Sequence, residues 1–138
     1  MTNHQPAKKK FGQHFLYDQK VIRRILSIAD LRKNDRVLEI GPGRGHLTRS
    51  LSESGAIITA IEIDDKLIFG PLRELGEKTN VKIVHGDALS LPDSKMFDTK
   101  GSYKLVANLP YNVGSRILRN VVCGPNPPDV SVVMLQRE

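Results

Sequence analysis

Short apolar runs alternate with amphipathic stretches along most of this chain, and few folds can absorb that pattern. "RVLEI", "IITAIEI", "VKIVH", "YKLVAN" and "VSVVML" each have the length and β-branched content of a buried strand. Between them lie segments with helical spacing: "HLTRSLSES", a stretch through Asp64–Lys78 loosened by Gly70-Pro71, and "VGSRILRNVV". Ahead of them, "DQKVIRRILSIADL" is expected to turn Val21, Ile22, Ile25, Leu26 and Ile28 inward, with Asp18 as its cap. Strands separated by helices at this spacing pair in parallel through right-handed crossovers, so the expected class is α/β with a doubly wound parallel sheet. The last strand runs into "QRE" with no covering helix. One sheet edge is then poorly protected and open to self-association, and the chain reads as cut short.

Composition narrows the field further. With 138 residues, 39% hydrophobic and 26% charged, the chain suits one soluble globular domain. No apolar run approaches the roughly 20 residues of a membrane span, and no signal-peptide pattern opens the chain. The single cysteine, Cys123, excludes an internal disulfide and a cysteine-rich zinc site; it is expected to be a small buried apolar residue on the last helix. A cytoplasmic protein without metal or membrane partner is the expectation. The net charge of +6 is unevenly placed: residues 1–36 hold nine Lys/Arg against Asp18, Asp30 and Asp35, and the remainder is balanced. Lys8, Lys9 and Lys10 fit a solubilising tail over residues 1–10 and, with Arg23 and Arg24, a phosphate-contacting surface.

The loop "EIGPGRG" sets Gly41, Gly43 and Gly45 between the first strand and its helix, where backbone can approach a ligand. A ligand bearing a nucleoside would lie across the carboxyl ends of the strands there. His46 stands where a dinucleotide fingerprint calls for a third glycine or alanine, which counts against NAD. Glu62, with Ile63 beside it, ends the second strand about 20 residues on, where a carboxylate accepts from ribose hydroxyls. Asp87, followed by Ala88, comes after the third strand in "GDAL", placed to accept from an adenine amino group. Taken singly, the loop is also a tight packing turn and the acids are also strand-end caps. Jointly they form a nucleoside-shaped set. Glu39, inside the first strand, is expected to be buried and to pair with loop amides or meet a ligand's ammonium group.

The fourth strand ends in "ANLPYN", which holds an amide, a proline and an aromatic ring at the mouth of the sheet. Alone this is also a proline turn with a capping Asn. Beside a nucleoside site it suits a planar amine, whose lone pair is delocalised until both N–H protons are accepted. The Asn108 side-chain oxygen and the Leu109 carbonyl are candidate acceptors. Pro110 biases Leu109 to an extended conformation, and Tyr111 offers a flat face to an extruded base. Attack on a sulfonium acidifies the nitrogen, so placement outweighs any strong general base.

"FGQHFL", "EIGPGRGHLT", "AIEID", "GDAL" and "NLPYN" occur in this order and approximate spacing in the ribosomal RNA adenine N6,N6-dimethyltransferases, which the chain resembles from about Lys8 to Glu138. The resemblance implies a Rossmann-like methyltransferase sheet of order 3-2-1-4-5, ending before the last two strands. It implies S-adenosyl-L-methionine as donor, S-adenosyl-L-homocysteine as product, and two methylations on one amine. By position, Gln13, His14 and Leu16 would close over the donor. Gly41 and Gly43 would line its methionine part, Glu62 and Ile63 its ribose, and Asp87 with Ala88 its adenine; Asn108, which would also border the donor, would receive the target base with Leu109, Pro110 and Tyr111. "FGQHFL" and "NLPYNVGSRIL" look more like the small-subunit branch, acting on two adjacent adenosines of that RNA or of a pre-small-subunit particle, than like the erythromycin-resistance branch. On this reading residues 11–138 are a partial catalytic domain, and a helical RNA-binding domain is absent. A nucleic-acid-binding relative without catalysis and a small-molecule methyltransferase remain as alternatives.

Overall fold

A computed structural model describes residues 17–90 and 101–136. Its five strands are β1 (Arg36–Ile40), β2 (Ile57–Glu62), β3 (Val81–His85), β4 (Lys104–Pro110) and β5 (Val130–Gln136). They form one sheet of order β3-β2-β1-β4-β5 with every pairing parallel, as the alternation predicts. The helices are α1 (Gln19–Ala29), α2 (His46–Glu53), α3 (Asp65–Phe69) and α4 (Tyr111–Val122).

Alternation along the strands divides the core between the two faces. Val37, Ile58, Ala60 and Val106 meet Ile22, Ile25 and Ala29 of α1 and Leu47 and Leu51 of α2 on one face. Leu38, Ile40, Ile61, Leu105, Ala107 and Leu109 meet Ile117 and Val121 of α4 on the other. Asp18 caps α1, its carboxylate accepting from Lys20 N at 2.9 Å.

Three expectations need correction. Ile28 is 57% exposed, because the buried stripe of α1 runs through Ile22, Ile25 and Ala29, and Ile28 falls beside it. The helix expected through Asp64–Lys78 stops at Phe69: Gly70 departs from helical dihedrals and Pro71 has no N–H to continue the ladder. A short 3₁₀ turn, Leu75–Glu77, follows. Cys123 is exposed, not buried; it lies one residue past α4, where its N–H caps the helix on Arg119 O.

Strand β4 and helix α4 meet without a connecting residue. Pro110 ends the strand and, with φ −63° and ψ 143°, serves as the N-cap of the helix. Gly114 lets α4 lie close on the sheet: a Cβ there would come within 2.8 Å of both Leu109 Cβ and Leu135 Cδ2. Leu109 is thus held close beneath α4.

Candidate functional site

The carboxyl ends of β1, β2, β3 and β4 surround one cavity of about 430 Å³. Gly41 and Gly43 form its wall after β1, Glu62 and Ile63 at the end of β2, Asp87 and Ala88 after β3, and Asn108, Leu109 and Pro110 at the end of β4. These nine residues, singled out separately along the chain, converge because parallel strands end on the same side of the sheet.

The glycine loop is tied to its neighbours. Gly41 has φ +74°, a region that disfavours side chains, and a Cβ on it would sit 3.1 Å from the Asn108 carbonyl oxygen. Backbone of the first loop therefore touches backbone of the fourth strand end. Gly41 N also donates to Ile61 O at 3.0 Å.

Glu62 ties the wall between β1 and β2 together. Its Oε1 accepts from Gly43 N at 3.2 Å, and its Oε2 from Ile63 N at 2.7 Å and Asp64 N at 3.1 Å. Its side chain is buried, which pushes the carboxyl above its usual range, while the amides of Asp64, Ile63 and Gly43 pull it partly back. Asp87 accepts from Leu89 N at 2.9 Å, a turn that presents the residue at the cavity.

Glu39 is buried as expected, yet its recorded partner differs. It accepts from Thr48 Oγ1 at 2.7 Å under α2 and does not line the cavity. The loop amide belongs to Glu62 instead, because Glu62 stands at the strand end beside the loop and Glu39 one residue short of the end of β1. Burial lifts the Glu39 carboxyl to about 8, opposed by the Thr48 bond and reinforced by the nearby Glu62 charge.

Other assignments separate from the cavity. Arg23 and Arg24 are exposed on α1, away from its lining. His46 packs its ring against Tyr17, with centroids 4.9 Å apart, and His85 lies 3.2 Å from Ile63 O; neither lines the cavity. Lys8, Lys9, Lys10, Gln13, His14 and Leu16 lie outside the described residues, as do the tail over 1–10 and the side chain of Tyr111. Conversely, Gly86, Leu89, Asn112, Val113 and Ile117 line the cavity without having been singled out. Asn112 was within reach of sequence reasoning as the last residue of "NLPYN"; Ile117 carries no signal beyond helical spacing. Gln136 also reaches this region, donating from Nε2 to Asn108 Oδ1 at 2.8 Å.

A family described as "Ribosomal RNA adenine dimethylase" matches residues 4–138. The chain is 40% identical over 132 residues to Ribosomal RNA small subunit methyltransferase A of Dehalococcoides mccartyi, covering 96% of this chain and 45% of that relative. It thus spans about half the length of the curated relatives it matches. Among solved structures it is similar to the 23S rRNA methyltransferase ErmE, with TM-score 0.74 and 31% identity over 89% of this chain and 48% of that one. A dimethyladenosine transferase from Plasmodium falciparum gives TM-score 0.74 and 27% identity over 90% of this chain and 44% of that one.

Proposed function

Because the chain belongs to the ribosomal RNA adenine dimethylase family, we propose that it carries the donor site and reaction centre of a small-subunit ribosomal RNA dimethyltransferase. The reaction moves methyl groups from S-adenosyl-L-methionine to the N6 amine of two adjacent adenosines. The observation that carries this reading is the single cavity in which a glycine cradle, two strand-end acids and the 108–110 segment face one another. What supports such a donor is the lining: Gly41 and Gly43 bring bare backbone to the cavity, and Glu62 stands beside them as a partly desolvated acceptor.

When bound, S-adenosyl-L-methionine supplies an electrophilic methyl on a sulfonium sulfur. Glu62, beside the amides it already holds, would accept from a ribose hydroxyl, Gly41 and Gly43 would line the methionine part, and Asp87 with Ala88 would hold the adenine. The family resemblance would add Gln13, His14 and Leu16 to the donor site. Asn108 Oδ1 and the Leu109 carbonyl would accept hydrogen bonds from the N–H groups of the target amine, which favours a pyramidal nitrogen with its lone pair free; the proton displaced by each methyl leaves to solvent. Pro110 holds Leu109 extended, and the family resemblance would give Tyr111 the stacking of the extruded base. Rate comes mainly from holding the reacting atoms in line. Exposed Arg23 and Arg24, with Lys8, Lys9 and Lys10, meet RNA phosphates.

Calorimetric titration of the chain with S-adenosyl-L-methionine tests the donor site. Saturable one-to-one binding is expected; its absence would favour a nucleic-acid-binding relative that has lost catalysis. The target follows from the full-length protein, where N6,N6-dimethyladenosine should appear in small-subunit RNA. Modification of large-subunit RNA instead would establish the resistance-type reading, for which the 31% identity to ErmE is the weaker likeness.

A further inference from the structure

Gln136 lies on β5, directly opposite Pro110 and diagonally across from Asn108, which pairs with Met134. Period-two alternation puts residues 134 and 136 on one face with 108 and 110. There Gln136 Nε2 donates to Asn108 Oδ1 at 2.8 Å in a partly buried bond. Asn108 lines the cavity; Gln136 stands behind it and does not.

A carboxamide keeps nearly the same outline after a half-turn about its last torsion, but the half-turn exchanges acceptor for donor. Asn108 alone therefore has no shape-based reason to offer its oxygen rather than its nitrogen. The hydrogen bond from the neighbouring strand couples it to a second carboxamide: as the structure has it, Gln136 donates and Asn108 presents its oxygen, and turning Asn108 alone would set two NH₂ groups against each other. An amide oxygen has room for two donors, so a bond from Gln136 is compatible with one from a target amine. We propose that Gln136 is a positioning residue, which fixes the Asn108 carboxamide with Oδ1 as the acceptor for the target amine. This rests on the role given to Asn108 above.

The test uses the full-length protein with Gln136→Glu and Gln136→Met. Near neutral pH a glutamate accepts only, so it draws Asn108 Nδ2 toward itself and turns Oδ1 away. Single-turnover methyl transfer at saturating RNA and donor should fall about ten- to a hundredfold, the scale of a misplaced reacting group. Donor affinity should stay within about twofold, because Gln136 is outside the cavity lining. Protonated, the glutamate donates an O–H to Oδ1. The rate of Gln136→Glu relative to wild type should therefore recover as pH falls from about 8 toward the carboxyl range of about 4 to 6. Gln136→Met, which never donates, should keep its deficit at every pH. A role in packing alone would give both variants the same pH-independent loss, and that result overturns the proposal, as does donor affinity falling in step with rate. Asn108→Ala run alongside separates the two readings. If it is inactive while Gln136→Glu is unimpaired, the positioning role alone fails; if it transfers at the wild-type rate, the role of Asn108 fails and this inference with it.

Discussion

Glu39 and Glu62 are both buried acids, and their surroundings divide them. Glu62 has three backbone N–H donors at a strand end, whereas Glu39 has the Thr48 hydroxyl within the core. The folded-state pKa of Glu39 is about 8 against an ordinary 4.5, so between these values the folded chain holds a proton that the unfolded chain has released. Its contribution to stability is full below about pH 4.5 and is lost as pH rises through 8. Glu39→Gln keeps an acceptor for Thr48 and has no proton to lose. Urea midpoints for this variant should vary less between these pH values than wild type and exceed it at the alkaline end. A wild-type slope in the variant would place the titration elsewhere. Asn108 gives a second expectation at this scale. Asn108→Ala in the full-length protein should abolish methyl transfer while leaving donor affinity within about threefold, since it removes an interaction made with the target and not the donor. Calorimetry and single-turnover transfer, measured on the same preparation, check both halves.

The junction between β4 and α4 carries the 108–110 segment with no slack. Its rigidity comes from Pro110, shared by strand and helix, and from Gly114, which admits Leu109 and Leu135 against the helix. Gly114→Ala puts a methyl 2.8 Å from Leu109 Cβ, an atom held by the strand backbone. The helix must lift, at a cost of about 1–3 kcal/mol for overpacking. The urea midpoint should drop accordingly, and methyl transfer by the full-length protein should fall further than stability alone explains, because Leu109 and Pro110 move with the contact. Unchanged stability would mean that α4 adjusts freely and does not brace the site. Turn chemistry of this kind was partly readable in advance: Asp18 as a cap follows from local rules, whereas Gly70-Pro71, expected only to loosen a helix through Asp64–Lys78, ends it. The exposure of Ile28 and Cys123 was not, because which flank of a helix meets the sheet depends on neighbours far away in sequence.

For the molecule as a whole, the proposed donor binding would be linked to folding through the strand ends. A donor at about 100 times its Kd stabilises the folded state by about 2.7 kcal/mol, which for a domain of this size raises Tm by several degrees. Glu62→Ala should weaken donor binding by roughly 1–3 kcal/mol through lost charge-assisted hydrogen bonds, and the thermal shift at fixed donor concentration should shrink with it. Differential scanning calorimetry with and without S-adenosyl-L-methionine checks this; an equal shift in the variant would remove Glu62 from the site.

Strand and helix alternation, the glycine turn and the proline at the end of β4 are properties of neighbouring residues, so the linear chain already specified the sheet class and nine of the residues that line its cavity. What it left open were partnerships between residues far apart. Whether Glu39 or Glu62 would hold the Gly43 amide, and which side chain would orient Asn108, follow from strand register and from which face each side chain takes. Those are decided only when parallel strands lie side by side, because a shift of one residue would turn every side chain to the opposite face.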